Sequence, residues 1–327
     1  MALNRIELDL YVYQGLENSF GSAPNYQINK SRIDTHTNIT LEIGELVRDY
    51  LDITFNDDYL SHTRWVKAIV TYFKDGDVQF SYGSPQTFTY IATDGFGYFE
   101  DGTNAELDRN ALMSSNFKYI PENTAGKIPI FAEGVGKVII DSTTTQITEN
   151  GNTDQKIQYI TVPQNSSTIQ VYDTNDSTLL KTISVSNICE PKFTPYKITF
   201  VNKYGAFEDL YFFKKSTETL NTSDETFKRN TITNASSTYS TSEGQSQRFN
   251  VNGKTSLVLN TGFINEAMNE TIEELFLSEN VWIRYQSKTL PVLPTSKSLA
   301  FKTSLNDNLI NYTINFDFAF DKINNVR

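Results

Sequence analysis

The clearest pattern in the chain is a strict alternation of apolar and polar residues between positions 310 and 320. Large apolar residues occupy every even position, in the order Ile310, Tyr312, Ile314, Phe316, Phe318 and Phe320. The polar residues between them are Asn311, Thr313, Asn315 and Asp317. Because successive side chains of a β-strand point to opposite faces, this segment is predicted to be a strand with one apolar face. So regular a strand indicates an assembly part rather than a chemical site.

Residues 1–95 are predicted to form a first β-sandwich that contains one short helix. The predicted strands are 4–13, 65–73, 78–82 and 86–92, with a hairpin turn at Asp75-Gly76. Apolar residues within 39–52 recur at the spacing of one helical face, and this spacing predicts the helix.

Residues 96–192 are predicted to form a second, smaller sandwich. Its predicted strands are 128–132, 137–140, 157–162, 169–172 and 182–185, with turns at Asn150-Gly151 and Asn175-Asp176. A glycine-rich connection at 94–102 leads into this unit, and Pro191 and Pro195 mark its exit.

Residues 193–327 are predicted to form a C-terminal β-rich assembly domain. In its segment 216–247, 18 of 32 residues are Ser, Thr or Asn, which predicts a long loop or extended arm with a strand at 226–232. Asn252-Gly253 indicates a hairpin turn, and apolar spacing over 263–277 predicts a helix. The predicted fold class is all-β, with tandem immunoglobulin- or fibronectin-like β-sandwich domains and short inserted helices.

The net charge of the chain limits which kinds of partner it can bind. The 327 residues carry a formal net charge of -11 at pH 7. An acidic surface repels phosphate backbones and anionic lipids, so neither nucleic acid nor a membrane is predicted as a partner. No apolar run reaches the ~18 residues of a membrane-spanning helix, and residues 1–5 show no apolar signal core, so synthesis in a cytoplasm is expected. Cys189, the one cysteine, is predicted to be a small buried apolar residue.

Residue types that carry enzymatic chemistry do not occur in matching patterns. His36 and His62 lie in polar segments without metal-ligand spacing, and both are predicted to be surface residues. Glu273 and Glu274 are adjacent on a predicted helix and do not face each other, so they are predicted to lie on its solvated face. Residues 173–177 lack the central Gly and distal Glu of a calcium loop and predict a hairpin turn instead. The sequence therefore predicts no catalytic residue, no metal site and no cofactor.

Two segments each allow two interpretations. Six of the 14 residues from 200 to 213 are aromatic, which suits either a platform that stacks sugars or packing in a core and between subunits. The loss of alternation across 210–213 favours packing, because it makes both faces of a strand apolar. The stretch 216–247 is either a disordered surface loop or an arm that orders on a neighbouring subunit.

Distinctive segments of the C-terminal part are Tyr-Gly-Ala-Phe-Glu-Asp-Leu-Tyr-Phe-Phe-Lys-Lys at 204–215, Asn-Thr-Gly-Phe-Ile at 260–264 and Leu-Phe-Leu-Ser-Glu-Asn-Val-Trp-Ile at 275–283, with 309–313 and 316–319 beyond them. These segments resemble structural proteins of tailed bacteriophages, especially those of Bacteroidota hosts. The resemblance covers roughly 197–327 and includes no catalytic signature. It implies a virion component of the tail or tail tip (baseplate) that assembles as a ring.

The expected function is therefore that of a non-enzymatic phage structural protein, present in the virion as a homo-oligomer with other virion proteins. The residues expected at its assembly contacts are Tyr204, Phe207, Leu210, Tyr211, Phe212 and Trp282. One alternative is a glycan- or receptor-binding adhesin on a virion or cell surface, which exposed Tyr and Trp residues would favour. Another is a hydrolase of cell-wall or capsule polysaccharide, which a cleft lined by carboxylates would favour.

Overall fold

A computed structural model confirms the all-β, sandwich-like architecture, with 50% of the chain in strands and 7% in helices. The structure describes residues 3–33, 36, 38–74, 78–79, 83–103, 107, 111–149, 151–231, 239–296, 298–303 and 308–323. The predicted turn residues Asp75, Gly76 and Asn150 lie outside these ranges.

The chain forms two compact units. The first unit consists of Met1–Cys189, Thr199–Leu210 and Ala267–Asn280. The second unit consists of Glu190–Ile198, Tyr211–Glu266 and Val281–Arg327. The predicted division into 1–95, 96–192 and 193–327 stays a prediction, although the first two of these ranges each contain sheets of their own.

The first sheet lies within the range of the first predicted sandwich. Its strands are β1 (Leu3–Tyr13), β2 (Tyr26–Ser31), β3 (Arg64–Lys74), β4 (Val78–Gln79) and β5 (Gln86–Ala92). They pair antiparallel, with β1 between β2 and β3, and with β4 and β5 both on β3. Leu8, Leu10, Val66 and Ala68 on the inner face pack with Val47 of the helix α1 (Gly44–Arg48).

Helix α1 is shorter than the predicted 39–52. Its N-cap residue Ile43 has no side-chain acceptor for the first free backbone N–H groups, and Gly44 is a weak helix former. Ile43, Leu46 and Tyr50 of the predicted apolar face still pack on the sheet core, although the helix itself is shorter than predicted.

The second predicted sandwich contains a five-stranded and a two-stranded sheet. Its strands are β6 (Phe117–Pro121), β7 (Gly126–Phe131), β8 (Val135–Ile140), β9 (Thr143–Gln146), β10 (Ile157–Val162), β11 (Thr168–Asp173) and β12 (Leu179–Ile188). The larger sheet has the order β6-β12-β11-β8-β9, in which only β6 and β12 run parallel, and β7 pairs with β10. Between β11 and β12, the Asp173 carboxylate accepts hydrogen bonds from the backbone of Ser177 and Thr178 at 3.1 Å, as the predicted turn requires.

The aromatic run 200–213 forms a hairpin of β13 (Tyr196–Val201) and β14 (Phe207–Phe212). All six residues of β14 are buried, which confirms the prediction of a strand buried on both faces. In the turn, Gly205 has a φ of 74°, and a Cβ at this position would lie 2.8 Å from Asp94 N. Glycine is therefore the residue that this close approach of two backbone segments requires.

The second unit is built on the sheet β18-β19-β21-β16-β15. Its strands are β15 (Thr217–Lys228), β16 (Ser246–Asn260), β17 (Ile264–Asn265), β18 (Val281–Tyr285), β19 (Lys288–Pro294), β20 (Leu309–Ile310) and β21 (Thr313–Asp321). Strand β17 pairs with β20, and all these pairings are antiparallel. The apolar face predicted for 310–320 is buried from Ile310 to Phe318, whereas Phe320 is exposed.

The structure corrects two predictions for the second unit. The first part of the predicted loop is strand, because β15 spans Thr217–Lys228. Asn252-Gly253 is not a turn but lies inside β16, where Gly253 is opposite Thr222. A Cβ on Gly253 would lie 3.1 Å from the side chain of Leu220, so this glycine accommodates close packing within a ladder.

Helix α2 and Cys189 both differ from their sequence predictions. The helix predicted over 263–277 is a 3-10 turn at Glu266–Met268 followed by α2 (Asn269–Leu277). Cys189 is exposed, so the prediction that it is buried is wrong; it lies one residue beyond β12, outside the alternating buried face of that strand. Across the described ranges, no helix is both long and apolar enough to cross a membrane.

Candidate functional site

The residues predicted to form assembly contacts are mostly buried inside the chain itself. Only Tyr204 is partly exposed, and the buried members are Phe207, Leu210, Tyr211, Phe212 and Trp282. Phe207 packs against Phe55 and Tyr159, with ring centroids 4.8 Å and 6.0 Å away, and its backbone N–H donates to the Tyr159 hydroxyl at 2.9 Å. These six residues are core-forming positions here, and their assignment as assembly contacts stays a prediction.

The most exposed regular structure in the second unit is a β-hairpin arm, defined here as Thr217–Lys228 and residues 246–251. Every residue of β15 and the first six residues of β16 are exposed. By contrast, residues 252–260 of β16 alternate between partly exposed and buried, because that half of the strand pairs with β21 and covers the core. The arm is therefore the part of the ladder that has no layer of its own chain packed on it within the described residues.

The arm is nevertheless a well-formed ladder. Arg248 donates to both oxygens of the Asp224 carboxylate at 2.9 Å, and this ion pair lowers the pKa of Asp224 and raises that of Arg248. The Phe227 and Phe249 rings meet edge to face, 5.6 Å apart. Arg229 pairs with Glu243 at 3.0 Å beyond the end of β15. These cross-strand contacts fix the register of the hairpin.

Four apolar side chains on the arm face solvent. Leu220 is 54% exposed, and the other three, Phe227, Phe249 and Val251, are also exposed. Strand β15 is also an edge strand of its sheet in the part of the chain that the structure describes, and it contains neither proline nor glycine. An edge of this kind offers unpaired backbone donors and acceptors to another strand.

The first unit contains a buried polar cluster around Glu208. The side-chain amide of Asn202 donates to Glu208 Oε2 at 2.9 Å and to the backbone oxygen of Leu112 at 2.7 Å. Burial raises the pKa of Glu208, while the charges of Lys118 and Lys181 act in the opposite direction. A buried charge is costly without partners, so the hydrogen bonds and nearby lysines of this cluster compensate for the burial of Glu208. We therefore interpret the cluster as structural.

Glu274 of helix α2 is the second buried carboxyl of this cluster. It accepts hydrogen bonds from the Ser114 hydroxyl and, at 3.4 Å, from the backbone N–H of Lys203. Burial, followed by the charge of Glu208, raises its pKa to about 8. Glu274 is therefore mostly protonated at neutral pH. The sequence predicted that Glu274 lies on a solvated helix face. Its burial was missed because it depends on the elements that pack against the helix, which the sequence of the helix does not identify.

A polar recess of about 600 Å³ surrounds His62, Arg64 and Asp154. His62 is half-buried and lies against Phe207, with ring centroids 5.3 Å apart, whereas His36 is exposed. Burial lowers the pKa of His62, so its imidazole is neutral at pH 7. The prediction of surface histidines therefore holds for His36 but only in part for His62. Nowhere in the described ranges do three or more His, Cys, Asp or Glu residues form a group that could hold a metal ion.

A larger cleft of about 850 Å³ also lies in the first unit. One wall is the glycine-rich segment 94–97, which the sequence identified only as a connection. The backbone N–H of Phe96 donates to the oxygen of Lys203 at 2.8 Å, and a Cβ on Gly95 would lie 2.5 Å from that oxygen. The glycine therefore allows this segment to pack against the turn of the β13–β14 hairpin and to stay in place as a wall.

Comparisons with known proteins give no family for this chain. No protein family matches it, and neither do any curated proteins or solved structures. The function must therefore be argued from the arm, the buried cluster and the cleft.

Proposed function

We propose that this protein is a non-enzymatic structural protein of a phage virion, a component of the tail or tail tip that assembles as a ring through its arm. The observation that carries this proposal is the exposure of all twelve residues of the edge strand β15. The resemblance of 197–327 to phage structural proteins agrees with it. The protein would then be a homo-oligomer within the virion, together with other virion proteins.

The energetics of the arm support an intermolecular role. A two-stranded hairpin is only marginally stable in water, and a layer or further strand is normally needed to stabilise it. Residues 225–228 pair with 246–249 in such a two-stranded ladder, with exposed side chains on both strands. At ~3.4 Å per residue, β15 extends about 40 Å, which is ample for pairing with a strand or covering a surface of a neighbour.

The exposed apolar residues support the same conclusion. Leu220, Phe227 and Phe249 would be better placed against a neighbour than in water, because burial of each such side chain contributes about 1.5–3 kcal/mol. In a heterologous contact, the arm of one copy meets a different surface of the next copy. Such contacts form a ring when the rotation that relates neighbouring copies adds up to a full turn.

Native mass spectrometry of the full-length protein tests this proposal. We expect a closed ring, with three-, six- or twelve-fold stoichiometry, and negative-stain images that show it. The double variant Leu220→Glu with Phe227→Glu should shift the protein to monomer, because each change places a charge at the proposed contact. Phe301→Glu is the matched control, since Phe301 is 57% exposed and lies outside the arm.

Two results would contradict the proposal. One is a wild-type protein that stays monomeric at every concentration tested. The other is a ring that survives in the arm variant while circular dichroism shows all three proteins folded. Equal loss of the ring in the Phe301 control would likewise remove the arm as its cause.

A further inference from the structure

The cleft of the first unit combines exposed aromatic rings with fixed polar groups. Phe99 is fully exposed at its rim, and Tyr90, at the end of strand β5, is 50% exposed. Phe88 stacks parallel to Tyr90, with ring centroids 6.4 Å apart, and extends this aromatic surface along β5. Aromatic rings at the mouth of a cleft can stack on a ligand, and their burial against it is strongly favourable.

The polar side of the cleft is organised by Arg48 of helix α1. Its Nε donates to Asp94 at 3.2 Å and its Nη2 to Glu279 at 2.6 Å. The hydrogen bond to Glu279 is the main reason why the pKa of Arg48 is raised. One guanidinium therefore holds two carboxylates in place, and each carboxylate has further lone pairs that can accept hydrogen bonds from a ligand.

The charge of the cleft limits what can bind there. Its lining includes four carboxylates, those of Glu42, Glu45, Asp94 and Glu279, against two cations, Arg48 and Lys203. This excess of negative charge repels phosphates, uronic acids and sialic acids. Carboxylates beside a guanidinium instead suit a neutral ligand whose hydroxyl groups both donate and accept hydrogen bonds.

We propose that this cleft binds a neutral glycan, with the apolar face of a sugar ring on Phe99 or Tyr90 and its hydroxyl groups on Asp94, Glu279 and Arg48. A cleft of about 850 Å³ lies within the range of small-molecule sites. A sugar ring suits this lining because one face presents C–H groups while its edge presents hydroxyls. The cleft contains no residue of the arm, so this proposal can be tested separately from the proposed assembly function.

Calorimetric titration of the full-length protein tests this inference. The probes are cellohexaose, maltohexaose, laminarihexaose, mannohexaose and chitohexaose as neutral glycans, with hexagalacturonate as an anionic one. We expect at least one neutral probe to bind at millimolar concentration or below and hexagalacturonate not to bind. Binding of the neutral probe should change little with added salt, because the ligand carries no charge.

Variants locate the binding. Phe99→Ala should weaken the binding about tenfold or more, since it removes an aromatic contact of about 1.5–3 kcal/mol. Arg48→Met should weaken it as well, because it releases both carboxylates. Phe301→Ala removes another exposed phenylalanine, which lies outside the cleft, and should leave the affinity within about twofold, which is the change expected of a distant surface substitution.

Phe99 is fully exposed, so Phe99→Ala is not expected to unfold the protein, and thermal melting of each variant would check this. The inference is overturned if no neutral probe binds at millimolar concentration, or if only hexagalacturonate binds. It is also overturned if Phe99→Ala and Phe301→Ala bind a neutral probe equally well.

Discussion

The side chain of Asn202 joins the turn of the β13–β14 hairpin to the buried carboxyl of Glu208. Its amide nitrogen donates to Glu208 Oε2 at 2.9 Å, while its oxygen accepts from the backbone N–H groups of Tyr204 and Ala206 at 3.1 Å. Asn202 itself is fully buried. Its amide nitrogen also donates to the backbone oxygen of Leu112, so one side chain satisfies two backbone donors of a tight turn and two acceptors in the core.

Replacement of Asn202 should be strongly destabilising. We expect Asn202→Ala to lower the free energy of unfolding by about 2–4 kcal/mol, because it leaves buried polar groups without their partner. Urea denaturation measures this change. Asn221→Ala is the control, since Asn221 lies on the exposed arm and should change stability by only about 0.5 kcal/mol. Similar losses in both variants would show that the Asn202 contacts contribute little.

Glu274 should make stability depend on pH. Its pKa is raised to about 8 in the folded protein, against 4.5 ordinarily, so between these values the folded state binds the proton more strongly than the unfolded state. The contribution of Glu274 is therefore fully present below pH ~4.5 and is lost as the pH rises towards 8.

Glu274→Gln should flatten this pH dependence. We expect wild type to lose on the order of a few kcal/mol more than the variant between pH 5 and 8, because glutamine cannot ionise. Urea denaturation at several pH values measures the difference. Glu279→Gln is a suitable control because Glu279 is largely exposed. Parallel pH profiles for wild type and Glu274→Gln would contradict the raised pKa.

Two glycines with similar backbone conformations should respond differently to alanine. Gly205 and Gly102 have φ angles of 74° and 66°, but only at Gly205 would a Cβ meet other atoms, at 2.8 Å from Asp94 N. We expect Gly102→Ala to lower the free energy of unfolding by about 1–2 kcal/mol, because alanine disfavours the left-handed backbone conformation. Gly205→Ala should lower it by clearly more, because its Cβ would also meet Asp94. Thermal and urea denaturation measure both. Equal costs would mean that the backbone around residue 94 moves away freely.

The alternating strand β21 offers a test of its own pattern. Phe316 is fully buried and Phe320 is 62% exposed, although both belong to the same predicted apolar face. We expect Phe316→Ala to lower the free energy of unfolding by about 3–5 kcal/mol and Phe320→Ala to change it by about 0.5 kcal/mol. A large loss on Phe320→Ala would show that this residue is covered in solution.

Local sequence pattern was enough to predict much of the strand framework. Alternation predicted β1 and β21, and the aromatic run predicted a strand that is buried on both faces, as β14 is. These predictions succeed because the period of a strand is imposed by its own backbone and the apolar positions must face a core. Turn-forming residue pairs, rather than periodicity, predicted the hairpin of β3 and β4 and the turn after Asp173.

The candidate sites could not be predicted in this way. The segment 94–97 forms a cleft wall because it packs against residues over 100 positions away, and Glu274 is buried because of what surrounds its helix. Nothing in the local sequence distinguishes such a glycine from a linker or such a glutamate from a solvated one. The sequence by itself determined the all-β framework and its core-facing positions, since these depend on backbone periodicity and apolar burial. Only the tertiary structure decided that 217–228 is an exposed strand rather than a loop and which side chains line the cleft, because strand pairing and burial between distant segments depend on partners that local pattern does not identify.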